Sequence, residues 1–175
     1  MKRAPFLHDD RQGDRFHFLP GRKTDALVAI AEARGKASER GVVFLRTITL
    51  LEGLKPILAV SGLPLFELTG EKPDHERKSV INRFRTSKNG LLLMTRTTGG
   101  RGLDLPFAHY AVFYSPKSNP VTMWQEMSRI RSTVSTPKDI YVLCYGDEES
   151  ATLQAVVATL RGQNRRISCE TIHAF

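Results

Sequence analysis

Two cysteines and one tryptophan in 175 residues leave little room for several common classes of protein. Cys144 and Cys169 stand in no metal-ligand spacing, and Cys144 lies inside the apolar run IYVLCY. A disulfide-framed secreted domain and a zinc site are therefore not expected, and a reduced intracellular protein with core cysteines is. None of the histidines is set at ligand spacing from cysteines or acids, so no metal site is assigned. No apolar run approaches the ~18 residues of a bilayer-spanning helix. The N-terminal MKRAPFLHDDRQGDRFHF has no long apolar core of the secretory type. The expected setting is cytoplasmic, or nuclear in a eukaryote, with no membrane partner. Acid is also scarce: 26 Lys and Arg against 18 Asp and Glu give a net charge of +8. That balance favours a polyanionic partner such as nucleic acid.

A phosphate-cradling G-x-x-x-x-G-K-[ST] loop and an acidic Mg²⁺-binding strand end are missing as well. RGKAS sets Lys36 after Gly35 without the earlier glycine, at the end of a helix rather than after a strand. VLCYGDEES places Asp147 and Glu148 after a strand, where they read as the cap of the last helix.

Apolar strands and amphipathic helices alternate along the rest of the chain. Thr24 can cap a first helix with Leu27, Ile30 and Ala31 on its apolar side, ending near Gly41. GVVFLRT, LPLFELTG, LLLMT, AHYAVFYSP and DIYVLCY read as strands. The helices between and after them are ITLLEGLKPIL, DHERKSVINRFRTSKNG up to Gly90, a helix opened by Asn119 and Pro120, and EESATLQAVVATLRG. Such alternation predicts an α/β fold, three-layer and doubly wound, with a mostly parallel sheet. Residues 1–22 read as a polar N-terminal segment, 23–162 as the domain, and 163–175 as a tail or edge strand.

In such a sheet, ligands bind beyond the carboxyl ends of the strands. The loops there hold Arg46 and Thr47, then Gly70 and Arg77, then TRTTGGRGLDLP, then SPKSNPVTMWQEMSRIRST. Thr95, Thr97 and Thr98 with the adjoining glycines offer hydroxyl and backbone donors to a phosphate, and Asp104 can accept from a hydroxyl such as that of a ribose. The bland alternative is a surface turn whose Asp104 is satisfied by local N–H groups. On the later helix Val121, Trp124 and Met127 form a stripe that reads as core, while Gln125, Ser128, Arg129 and Ser132 share a polar face. Arg129 and Arg131, two residues apart, point about 200° apart on a helix, so they share one phosphate only if the helix ends near Ser128 to Ile130. Otherwise they are surface arginines closing a basic helix end.

GVVFLRT, FELTGEKPDHERKSVINRFR, LLLMTRTTGGRGLDLP and WQEMSRIRS, in that order, resemble motifs IV, V and VI of the C-terminal RecA-like lobe of superfamily 2 helicases and translocases. The resemblance spans residues 24 to 161. It implies a lobe of the P-loop NTPase type that binds a nucleic-acid backbone (DNA or RNA) on one face and closes over ATP against an N-terminal RecA-like lobe, in cis or in trans. ATP and Mg²⁺ would then be held mainly by that other lobe. By resemblance, Arg129 and Arg131 are the catalytic arginines, and Gly102, Asp104 and Gln125 face the nucleotide. Arg46, Thr47, Gly70, Thr95, Arg96, Thr97 and Thr98 meet the nucleic acid. Seven steps, not the family's six, separate Thr95 from Gly102, which leaves open which of Thr95, Arg96 and Thr97 takes the threonine role. Ser128 replaces the motif VI glycine and Ser132 its second arginine, with Arg131 one step early, an arrangement also met in branches related to Dicer. The alternative is a catalytically inactive RecA-like module that docks nucleic acid or a protein. With no P-loop, the purified 175-residue chain is expected to release no phosphate from ATP in a steady-state assay, with or without nucleic acid.

Overall fold

The computed structural model describes residues 14–95, 103–116, 119, 122, 126, 129–130, 138–163 and 167–171. Its elements run β1 (Asp14–Pro20), α1 (Lys23–Lys36), β2 (Arg40–Leu45), α2 (Ile48–Ala59), β3 (Leu65–Leu68), α3 (Asp74–Thr86), β4 (Gly90–Thr95), β5 (Tyr110–Phe113), β6 (Asp139–Cys144), α4 (Asp147–Gln163) and β7 (Ile167–Thr171). The strands form one sheet in the order β3-β4-β2-β5-β6-β1-β7. All the strand pairings are parallel.

The continuous apolar runs in β2, β4, β5 and β6 are those of strands covered on both faces. Alternate residues divide between two cores. Val43, Leu45, Leu91 and Leu93 face Leu27 and Ile30 of α1 and Leu51, Leu54 and Leu58 of α2. Val42, Phe44, Leu92 and Met94 face the other way, toward Val80 and Phe84 of α3 and Leu153 and Val157 of α4. The result is the three-layer α/β arrangement, with the sheet in the middle. Gly90 opens β4 at φ +133, where an added Cβ would lie 2.7 Å from the Pro64 carbonyl oxygen. No L side chain fits that turn.

Two features differ from the expectation. Residues 14–20, placed in a polar segment outside the domain, form β1, inserted between β6 and β7. Its DRFHFLP carries three charged or ionisable side chains, so its apolar alternation is weak, and its partners lie far along the chain. Thr24 does not cap α1: the N-cap is Arg22, with no side-chain cap bond, and the Thr24 hydroxyl pairs with that of Tyr114 at 2.9 Å.

The amino edge of the sheet is pinned by ions. Asp139, at the start of β6, receives Arg15 Nη2 at 2.8 Å, Arg34 Nη2 at 2.5 Å and His17 Nε2 at 2.8 Å. Arg34 also donates to the Tyr141 hydroxyl and, at 2.8 Å, to Glu39. Burial pushes the Asp139 pKa up, but the His17 hydrogen bond and the nearby Arg34 and Arg15 guanidiniums outweigh it and hold the carboxyl well below the usual range. A carboxylate depressed in the folded state stabilises the fold above its unfolded pKa of ~3.9 and loses that contribution as pH falls below it. Urea midpoints compared between pH 7 and pH 3 should show this acid-side loss, and Asp139→Asn should remove most of it. Asp139→Ala, which strands buried cations, should cost about 3 kcal/mol or more at pH 7.

Candidate functional site

Parallel pairing sends every strand's carboxyl end to one edge, and the candidate residues gather there. Thr47 leaves β2 as the N-cap of α2, its hydroxyl accepting from the Leu50 N–H at 3.2 Å. Arg46 beside it is exposed. The start of α2 thus combines its positive dipole end with a threonine hydroxyl, next in the chain to an exposed arginine. Gly70 is exposed in the turn after β3, which the Lys72 N–H to Thr69 O bond closes at 3.4 Å. Arg77, in the first turns of α3, is half-buried and lies 3.6 Å from Asp74. Thr95 ends β4 at 2% exposure, its side chain committed to the interior. Arg96, Thr97, Thr98 and Gly102 lie outside the described residues, as do Gln125 and Arg131.

The Asp104 and Arg129 segments are joined directly. Asp104 is exposed, and the N–H of the next residue, Leu105, donates to the Arg129 carbonyl at 2.6 Å. Leu105 and Ile130 are both fully buried in the core on the α3 and α4 side. Asp104 and Arg129 thereby flank one backbone hydrogen bond. Upstream, the Asn119 side chain accepts from the Thr122 N–H at 3.1 Å, the N-cap bond that Asn119 and Pro120 lead one to expect. Glu126 is helical, while Arg129 and Ile130 sit in a turn, with the Arg129 N–H bonded three residues back to Glu126 O at 3.4 Å. Such a tightened last turn ends a helix, the condition on which Arg129 and Arg131 can converge. Buried Glu126 and Ile130 were not singled out in the sequence, although their i, i+4 spacing was the available signal.

At the far side of the same edge, Lys23 is buried, its Nζ 3.6 Å from Glu149 and 3.8 Å above the Tyr145 ring. Burial lowers its pKa, against the opposing pull of Glu149. Glu149 also accepts the Tyr145 N–H at 2.5 Å, two residues before α4 begins. Nothing in the local sequence announces the Lys23–Tyr145 pair, because its members come from segments brought together only by the β1–β6 pairing. Among the described residues no group of three His, Cys, Asp or Glu is arranged to hold a metal, and no helix is long and apolar enough to cross a membrane.

A profile of the helicase conserved C-terminal domain matches residues 22–133. The chain belongs to that family. This helicase C-terminal domain is 27% identical over 130 residues to the ATP-dependent rRNA helicase spb4 of Aspergillus oryzae, covering 73% of the chain and 20% of that protein. It is 28% identical over 142 residues to the bifunctional helicase and thymine dioxygenase JBP2 of Trypanosoma brucei brucei, covering 80% and 13%. The chain spans about a fifth or less of the length of these curated relatives. Among solved structures, the C-terminal domain of the DEAD-box protein Dbp5 superposes with a TM-score of 0.74 at 16% identity, covering 94% of this chain and 92% of that one. Domain 2 of the DEAD-box helicase Mss116p, bound to an RNA duplex, gives 0.68 at 19% identity, covering 93% and 64%. At these identities the likeness is one of fold, and the fold is RecA-like. Thr47→Ala in the helicase C-terminal domain should cost about 1 kcal/mol through the lost cap of α2, read as a lower urea midpoint with an unchanged slope.

Proposed function

We propose that this domain is the C-terminal lobe of an ATP-dependent superfamily 2 helicase or translocase, incomplete without an N-terminal RecA-like lobe. The observation that carries the reading is the Leu105 to Arg129 hydrogen bond, which joins the Asp104 loop to the end of the arginine helix. In this reading Arg129, helped by Arg131, neutralises the charge that develops on the phosphates as water attacks. Asp104 accepts from a nucleotide hydroxyl, with Gly102 and Gln125 beside it. The P-loop and the acid that holds Mg²⁺ belong to the other lobe.

Arg46, Thr47, Gly70 and the loop that follows buried Thr95, Arg96 to Thr98, would hold the nucleic-acid backbone at the sheet's carboxyl edge. Opening and closing of the two lobes would then move the strand along that surface. The printed names of the spb4 relative and the Mss116p complex incline the proposal toward RNA. An intracellular setting belongs to the same reading.

The second reading, an inactive module that docks nucleic acid or a protein, draws its support from Ser132, which stands where the family places its second arginine. One experiment separates the two. In the protein paired with its N-terminal lobe, Arg129→Gln with Arg131→Gln should lower ATP turnover by roughly 10³-fold or more while oligonucleotide affinity changes little. Unchanged turnover, or a wild-type pair that does not hydrolyse ATP, would sink the enzyme reading.

A further inference from the structure

We propose that Arg40 is a positioning residue that ties the nucleic-acid side of this domain to its nucleotide side. The proposal rests on the function proposed above. It starts from the described stretch between β4 and β5, residues 103–109, which runs to β5 with no helix of its own while Leu105 and Ala108 are fully buried. Its backbone polar groups therefore need partners from elsewhere. They find them in an unusual form: three successive carbonyls are each held by a cation. Lys138 Nζ donates to Pro106 O at 2.9 Å and to Ala108 O at 2.5 Å. Arg40 Nε and Nη2 both donate to Phe107 O between them, at 3.3 Å.

Arg40 reaches further than Lys138. Its remaining terminal nitrogen, Nη1, donates to Arg85 O at 3.0 Å and to Ser87 O at 2.7 Å, the carbonyls that close α3. Its main chain is bonded to the same strap in both directions: the His109 N–H donates to Arg40 O at 2.8 Å, and the Arg40 N–H donates to His109 Nδ1 at 3.0 Å. One planar guanidinium thus spans the end of α3 and the middle of the strap. The other ends of these two elements carry the proposed chemistry. α3 begins just after exposed Gly70 and contains Arg77. The strap begins at Asp104 and is bonded through Leu105 to Arg129.

A helix moves nearly as a rigid rod, so a displacement of α3 by a bound polymer would arrive at Arg85 and Ser87, and Arg40 would pass it to Phe107. Merely sealing carbonyls of the strap does not require this bridge, since Lys138, just before β6, donates to Pro106 O and Ala108 O. The planar fork is what permits it: an ammonium is a point charge and cannot address both elements in fixed geometry.

The test is amide hydrogen exchange on the 175-residue chain, with and without a single-stranded oligouridylate of about 12 nucleotides. In the wild type, bound oligomer should slow exchange of the Leu105 and His109 amides by roughly 5-fold or more. In Arg40→Lys and Arg40→Gln, oligomer affinity should stay within about twofold while that slowing is lost. Lys138→Met should speed exchange of the strap with and without oligomer alike, yet keep the oligomer-induced slowing. A purely structural role for Arg40 would move both arms equally. Slowing that survives in both Arg40 variants, or that is missing in a wild type that binds, would overturn the joint, as would unfolding of both variants. A wild-type chain that binds no oligomer would overturn the nucleic-acid reading and the joint with it.

Discussion

Parallel pairing of seven strands is the constraint from which the rest of this domain follows. A parallel ladder points every strand the same way, so each connection must return across a face of the sheet, and both faces are covered by helices or straps. The two edges of the sheet therefore differ in kind. Chain leaves the strands at the carboxyl edge, where helix N-termini and short loops bring donors and positive dipole ends together. It re-enters at the amino edge, where helix C-termini and carbonyl oxygens collect.

The amino edge answers that accumulation of carbonyls with buried and half-buried cations. Arg40 and Lys138 bind main-chain oxygens of α3 and of the strap. Arg34 and Arg15 converge with His17 on Asp139, and the Tyr141 ring stacks on His17 at 4.9 Å. A buried ion set of this kind adds little net stability over an apolar core, but removing one member strands the others. Its effect is to hold β1 in register with β6 and the strap against the core. At the carboxyl edge Lys23 and Thr95 are buried, but Arg46, Thr47, Gly70 and Asp104 are all exposed.

Five strands were legible in the chain because their apolar runs are long, unbroken and bounded by turn residues, as in GVVFLRT and LLLMT. β1 was not, because Asp14, Arg15 and His17 dilute its pattern, and Arg15 and His17 find their partner only in Asp139, 124 and 122 positions away. The caps divide in the same way. Asn119 before Pro120 is a local signal and it operates locally, whereas Thr24 has the right residue type but its hydroxyl is taken by Tyr114, 90 positions away. Of the site, the order of Thr47, Gly70, Asp104 and Arg129 could be read along the chain. Burial of Thr95 and of Glu126 could not, since both depend on which neighbouring element covers them.

Taken alone, the amino-acid sequence determined the periodicities, hence an α/β domain with helices on both faces of a parallel sheet. It also determined the order of polar motifs after the strands, and a surplus of positive charge. These are properties of residues close together in the chain, where hydrophobic period and turn chemistry act. Tertiary structure alone decided that residues 14–20 complete the sheet, that the Asp104 loop is bonded to Arg129, and that one arginine at the head of β2 bridges α3 and the strap. Each of these is a contact between segments tens of residues apart or more, formed by buried polar groups whose partners are chosen by the packing of the whole domain rather than by any local rule.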